Sequence, residues 1–248
     1  MKRFLSIATA AALIALAGAP GPAHCHTVLD PEIAQAMLAE IAGYEKSART
    51  ESSRQARAEA LFKLGVRVGD LVDLLDQDLV SHGGENPLAG LLIKRLAEYG
   101  VRVAYSEPPG RFGYDQAAFR EYLKLEPNGP HAAEARYRIL AEGFRATVKS
   151  GPGAVAAADR NAVVRAAAEE ENFLRDYPNH PRTKEVRFFL GVDCFRLSRS
   201  AVEPAKARQY EHCARDALEH VIQEYPGSIE ARAASTLAEE LSRGGQKP

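Results

Sequence analysis

The chain reads as an all-α protein of antiparallel helical hairpins stacked as an α-solenoid. Three observations predict this. Alanine and leucine dominate and runs of β-branched residues are scarce, a composition that favours helix over sheet. Apolar residues recur at three- and four-residue steps over long segments, the stripe of an amphipathic helix. One phrase, an apolar pair followed by a proline turn and an alanine-spaced run, occurs three times along the chain, and a recurring phrase signals architecture.

The first segment is of another kind. MKRFLSIATAAALIALAGAPGPAHC has Lys2 and Arg3 at its start, an apolar run from Phe4 to Ala17, and then small residues and prolines, the layout of a secretory signal peptide over residues 1–25. The run is short for a membrane span, and no later segment approaches ~20 apolar residues, so no transmembrane segment is expected in the mature chain. Cleavage after Ala23 and cleavage after Cys25 both satisfy the small-residue rule, and they differ in whether Cys25 survives. Pro22, Ala23 and His24 precede Cys25, whereas a lipoprotein signal places a small residue directly before the cysteine and an aliphatic one three before, so no lipid anchor at Cys25 is expected. Without the leader, 30 basic side chains face 33 acidic ones. A near-neutral surface of interspersed signs fits partners recognised by shape and gives no indication of nucleic acid.

An N-terminal helical region is expected over residues 26–105. Asp30-Pro31-Glu32 reads as an N-cap, a first-position proline and a first-turn acid, opening a helix with Ile33, Met37, Ile41 and Tyr44 on its apolar face. EKSARTESSRQAR is polar on all sides, an exposed helix or a break. From Ala58, the spacing of Leu61, Leu64, Val68, Leu71, Val72, Leu75 and Leu79 predicts a second helix, stopped by His82-Gly83-Gly84. Asn86-Pro87 predicts a third, carrying Leu91, Leu92, Leu96 and Tyr99 to Gly100 and forming an antiparallel hairpin with the second. SEPPGRFGYD, residues 106–115, holds two prolines and two glycines and is expected to be irregular.

The remainder, residues 106–248, is expected to hold six helices in three pairs. The repeated phrase aligns on Pro127, Pro178 and Pro226. Five and four residues before these prolines stand Tyr122 and Leu123, Phe173 and Leu174, and Val221 and Ile222, the apolar end of the first helix of each pair. The proline stops that helix because its ring clashes with the preceding turn and it lacks an amide hydrogen. Pro130 and Pro181 are expected in the first turn of the second helix. Five, eight and twelve residues past the anchor lie Ala132, Ala135 and Ile139, then Thr183, Val186 and Leu190, then Ala231, Ala234 and Ala238. Small residues near the turn let two helix axes approach closely.

FLRDYPNHPRTKEVRFFLG and VIQEYPGSIEARAASTLAEEL resemble the tetratricopeptide-type repeats of bacterial envelope proteins. The similarity is to the outer-membrane-protein assembly lipoprotein of the Bam complex and to the periplasmic coordinator of the Tol-Pal system, over about Tyr114 to Leu241. The resemblance implies a solenoid that holds protein or peptide partners: envelope assembly factors, outer-membrane proteins or peptidoglycan-linked proteins. Two features depart from those families. The anchor prolines are 51 and 48 residues apart, well over the ~34 of a standard repeat, and the context of Cys25 is not that of the Bam lipoprotein.

Cys194 and Cys213 carry the one expected covalent feature. Their numbers average to 203.5, inside the turn from Ala201 to Pro204, so on two antiparallel helices the thiols stand at one height. An exported chain would join them, closing a loop worth ~3 kcal/mol, the alternative being two buried thiols. No catalytic, cofactor or metal set is expected. His24-Cys25-His26 could chelate a metal only if cleavage exposes it, and His212 and His220 lack a completing ligand and read as surface residues. Glu169-Glu170-Glu171 reads as a solvated helix face, since consecutive helical positions point in different directions. The expectation is an exported, non-catalytic scaffold of the periplasm or the medium, acting through protein contacts. The alternative is a helical peptidoglycan-acting enzyme whose cleft is shaped by residues 106–115.

Overall fold

The structure is a computed structural model that describes residues 29–81, 88–106, 110–148, 155–156 and 159–244. The leader with Cys25, the His82-Gly83-Gly84 stop, the Asn86-Pro87 start and residues 149–154 and 157–158 lie outside the described residues. The helices are α1 (Pro31–Thr50), α2 (Arg54–Ser81), α3 (Ala89–Glu98), α4 (Ala117–Leu125), α5 (Ala132–Thr147), α6 (Arg160–Asp176), α7 (Thr183–Ser200), α8 (Pro204–Glu224) and α9 (Ile229–Gly244). Strands β1 (Val103–Ser106) and β2 (Arg111–Tyr114) lie between α3 and α4. The class is all-α with one small antiparallel ribbon. The chain divides into two compact units, one running to Glu142 and the other starting at Gly143.

In the first unit, α1 opens as its sequence requires. The Asp30 carboxylate accepts from the Glu32 amide at 2.7 Å, with Pro31 at the first helical position. Met37 and Ile41 are buried as their spacing suggested, whereas Ile33 is exposed and Ala34 takes its place at the start of the stripe. α2 packs along α1 through Leu64, Val68, Leu71, Val72 and Leu75, and Arg67 pairs with Glu40 at 2.7 Å. The expected hairpin of α2 with α3 is not what forms: α3 lies chiefly against α1 and β1. It buries Leu92 and Leu96, one turn apart, and leaves Leu91 64% exposed.

Residues 106–115 are the clearest correction. Instead of being irregular, they contribute to an antiparallel hairpin in which Val103 faces Tyr114 and Ser106 faces Arg111. Gly110, directly before β2, has φ +76°, and RFGY alternates as a half-buried strand does. Phe112 and Tyr114 face the core, and the ribbon packs on α2.

The turn after the first helix of each repeat has the same construction three times. Glu126, Tyr177 and Tyr225, each directly before the anchor proline, have φ of −131°, −132° and −133°. The proline ring bars them from the α region. Their amides still donate to Tyr122, Phe173 and Val221, closing the last turn. Pro130 and Pro181, however, stand two residues before the first helical residue, within a turn closed by Ala132 N to Gly129 O and Thr183 N to His180 O. They therefore set the approach to the helix and do not occupy its first turn. Gly129 is required there, since a β-carbon would stand 2.6 Å from the Tyr122 hydroxyl.

In the second unit α6, α7, α8 and α9 pack in sequence, each on its neighbour, and α9 also reaches α7. α7 is the centre: every residue from Leu190 to Ser198 is buried, as expected of a helix covered on all sides.

Candidate functional site

The repeat positions sort by depth. Tyr122, Phe173 and Val221 are fully buried, while their neighbours Leu123, Leu174 and Ile222 are half-buried at the edge of each core. On the second helices Ala132, Ala135, Thr183, Val186, Leu190, Ala231 and Ala234 are buried, and Ile139 and Ala238 are partly exposed. Pro127, Pro178 and Pro226 occupy the exposed turns or their margins.

Cys194 of α7 and Cys213 of α8 are joined by a disulfide with Cα atoms 6.0 Å apart. Cys194 is 2% exposed and Cys213 lies at the rim of the same core. The bond ties the two helices that make the most extensive contact of this unit.

On the last hairpin a shallow groove of about 450 Å³ runs between α8 and α9, lined by Ile222, Ser235, Ala238, Glu239, Ser242 and Arg243. Its floor is apolar at Ile222 and Ala238. Its rim carries a Glu239–Arg243 ion pair at 3.1 Å. An apolar floor with a polar rim is the chemistry of a contact surface.

A second feature was not legible as read above. Glu170 does not lie on a solvated face: it is 0% exposed, beside Val163, Ala167 and Phe173 on the buried side of α6, while Glu169 and Glu171 are exposed. Neither of its carboxylate oxygens has a hydrogen-bond partner among the described residues. Asp193, on α7, is also 0% exposed; its Oδ1 accepts from Arg196 Nη1 at 3.2 Å and its Oδ2 is unpartnered. Arg196 spends its Nη2 on the Thr147 carbonyl at the end of α5. Burial, then the Asp193, Glu169 and Glu171 charges, push the Glu170 carboxyl well above its ordinary range. Burial likewise raises Asp193, against the pull of Arg196. The signal that would have found Glu170 is register, since it stands seven residues after Val163, three after Ala167 and three before Phe173, on a row that is otherwise apolar.

Beside the ribbon, Asp76 of α2 accepts from the Phe112 amide at 2.6 Å and lies 3.7 Å from Arg111 Nε. Arg111 also faces Glu142 at 3.5 Å. Burial raises Asp76 to about 6, yet its oxygens are committed to holding β2 on α2. His131 Nε2 lies 3.0 Å from Glu59, its ring stacked 4.0 Å from Phe62. The expected surface histidine His212 is exposed and pairs with Asp216 at 3.2 Å, and His220 is half-buried. Among the described residues no group of three or more His, Cys, Asp and Glu is placed to hold a metal ion, and no helix is long and apolar enough to cross a membrane.

No curated protein matches the chain. Residues 153–242, which fall in the second unit and take in the buried acids, the disulfide and the α8–α9 groove, match the family model YfiO, described as an outer membrane lipoprotein, so that this segment is similar to a BamD-like protein of tetratricopeptide type.

Proposed function

We propose that the protein is an exported, non-catalytic adaptor that holds protein or peptide partners in the bacterial cell envelope. The observation that carries this reading is the overlap of the YfiO match at residues 153–242 with a unit of stacked helical hairpins whose last pair leaves a groove open. Stacked hairpins present extended surfaces because each pair contacts only its neighbours. The groove offers an apolar floor and a polar rim, which suits the capture of a segment by shape. The leader-like start supplies the route to the envelope.

The enzymatic alternative needs a desolvated carboxylate near residues 106–115, and Asp76 meets that description. Its short bond to the Phe112 amide and its nearness to Arg111 support a structural task, so the adaptor is the reading we keep.

The test is photo-crosslinking in cells from Ser235, Ala238 and Ser242, with Ala162 on the exposed side of α6 as control. The adaptor reading expects a discrete protein adduct from the groove positions and none from the control. Release of soluble fragments from peptidoglycan by the purified chain, with no adduct at any position, would replace this reading with the enzymatic one.

A further inference from the structure

Glu170 stands where the other two repeats place a hydrophobic side chain. It lies eight residues before Pro178, and the equivalents, Phe119 before Pro127 and Leu218 before Pro226, are 1% and 0% exposed. Each of those two presses on a glycine of the facing helix, Phe119 on Gly65 and Leu218 on Gly191. The position is thus an apolar core position in the architecture, and the second repeat fills it with an equally buried carboxyl group.

The local charges do not accommodate a second anion there. The groups that act on Glu170 are Asp193 across the α6–α7 contact and, on its own helix, Glu169 and Glu171, all negative when ionised. No cation acts on Glu170, and Arg196, the partner of Asp193, is bonded to Asp193 on α7 and to the Thr147 carbonyl of α5. An ionised Glu170 would be a buried charge without a counter-charge or a hydrogen bond, an arrangement that proteins avoid by protonation or by opening.

We propose that Glu170 is a buried proton site that controls the α6–α7 contact: with its proton bound the second repeat is closed, and when the proton leaves the two helices loosen.

The sign follows from linkage. A carboxyl group held above its ordinary value of 4.5 in the fold binds its proton more tightly folded than unfolded. Its contribution to stability is therefore complete below that ordinary value and is lost as the pH rises through the folded value. The device closes in acid and loosens toward neutral and alkaline pH.

The experiment uses the whole exported chain and compares it with Glu170→Gln, which keeps the shape of the side chain and cannot ionise. Amide hydrogen exchange, corrected for its intrinsic pH dependence, is followed in α6 and α7 between pH 5 and pH 8, with α1 as internal reference. The expected result is exchange in α6 and α7 faster by roughly tenfold at pH 8 in the unaltered chain, a change largely absent in Glu170→Gln, with α1 alike in both. Equal pH dependence in the two proteins overturns the proposal. If Glu170→Gln does not fold, Asp193→Asn gives a second reading. It removes a negative charge that adds to the effect of burial on Glu170, so the loosening must move to lower pH, and an unmoved profile overturns the proposal as well.

Discussion

Leu218 meets Gly191 so closely that a β-carbon at position 191 would stand 2.7 Å from Leu218 Cδ2 and 2.9 Å from its Cγ. The α7–α8 contact is built on that missing side chain, and the disulfide lies one turn further along the same seam. Gly191→Ala should therefore lower stability by ~1–3 kcal/mol, the range for overfilling a packed core. Gly143 in α5 is the control, because an added carbon there meets nothing within 4 Å. Gly143→Ala should raise stability by ~0.5–1 kcal/mol through helix propensity alone. Urea midpoints of the two variants should move in opposite directions.

Replacing Glu170 by the residue type its register uses should stabilise the protein. Glu170→Leu removes two buried oxygens that have no partner and leaves a side chain of similar volume. The gain expected at pH 7 is ~1–3 kcal/mol, the cost of an unsatisfied buried polar group. A urea midpoint at or below that of the unaltered chain would show that the carboxyl group contributes favourably to the core.

The Cys194–Cys213 bond closes a loop of 19 residues in sequence separation. Its removal in a Cys194→Ala, Cys213→Ala pair should cost ~3 kcal/mol, taking the bond to act by restricting the unfolded chain. Reductant should lower the unfolding temperature of the unaltered protein toward that of the pair and leave the pair itself unmoved. Intact mass without reductant should show both thiols absent.

Some of this was legible in the sequence and some was hidden, for local reasons. Proline acts on its own turn, so Pro127, Pro178 and Pro226 placed three helix ends without knowledge of the tertiary structure. The cysteine pairing was legible because two antiparallel helices about one turn leave a single height at which Cys194 and Cys213 meet. The ribbon was hidden because two prolines and two glycines fall within residues 106–115 and the strands are only four residues each, so the turn signal outweighed the alternation of Phe112 and Tyr114. Glu170 was hidden because three consecutive acids read as one exposed patch. Aligning it with Phe119 and Leu218, eight residues ahead of each proline, separates it from Glu169 and Glu171. The groove had no sequence signal, since Ser235, Ala238 and Ser242 are ordinary small residues until α8 and α9 are placed together.

Asp76, in the other unit, also has a raised value, and its effect on stability can be separated from that of Glu170. Burial lifts it from 3.8 to about 6, against the Phe112 amide and the Arg111 charge, while Asp73 and Glu142 add to the rise. The folded state thus favours the protonated form, and the group's contribution is complete below pH 3.8 and lost as the pH rises to about 6. Because the carboxyl is partly exposed, the expected difference is only ~1 kcal/mol once solvent screening is allowed for. Asp76→Asn keeps an oxygen for the Phe112 amide and removes the titration; Asp76→Ala removes both. In a Glu170→Gln background, urea unfolding at pH 4 and pH 7 should show the slope with Asp76 present and a flatter profile with Asp76→Asn. Asp76→Ala should lose a further ~1 kcal/mol at both pH values, because the Phe112 amide is left without its acceptor. A slope equal in the Asp76 and Asp76→Asn proteins would assign the pH dependence to other groups and leave Asp76 only the task of holding β2 on α2.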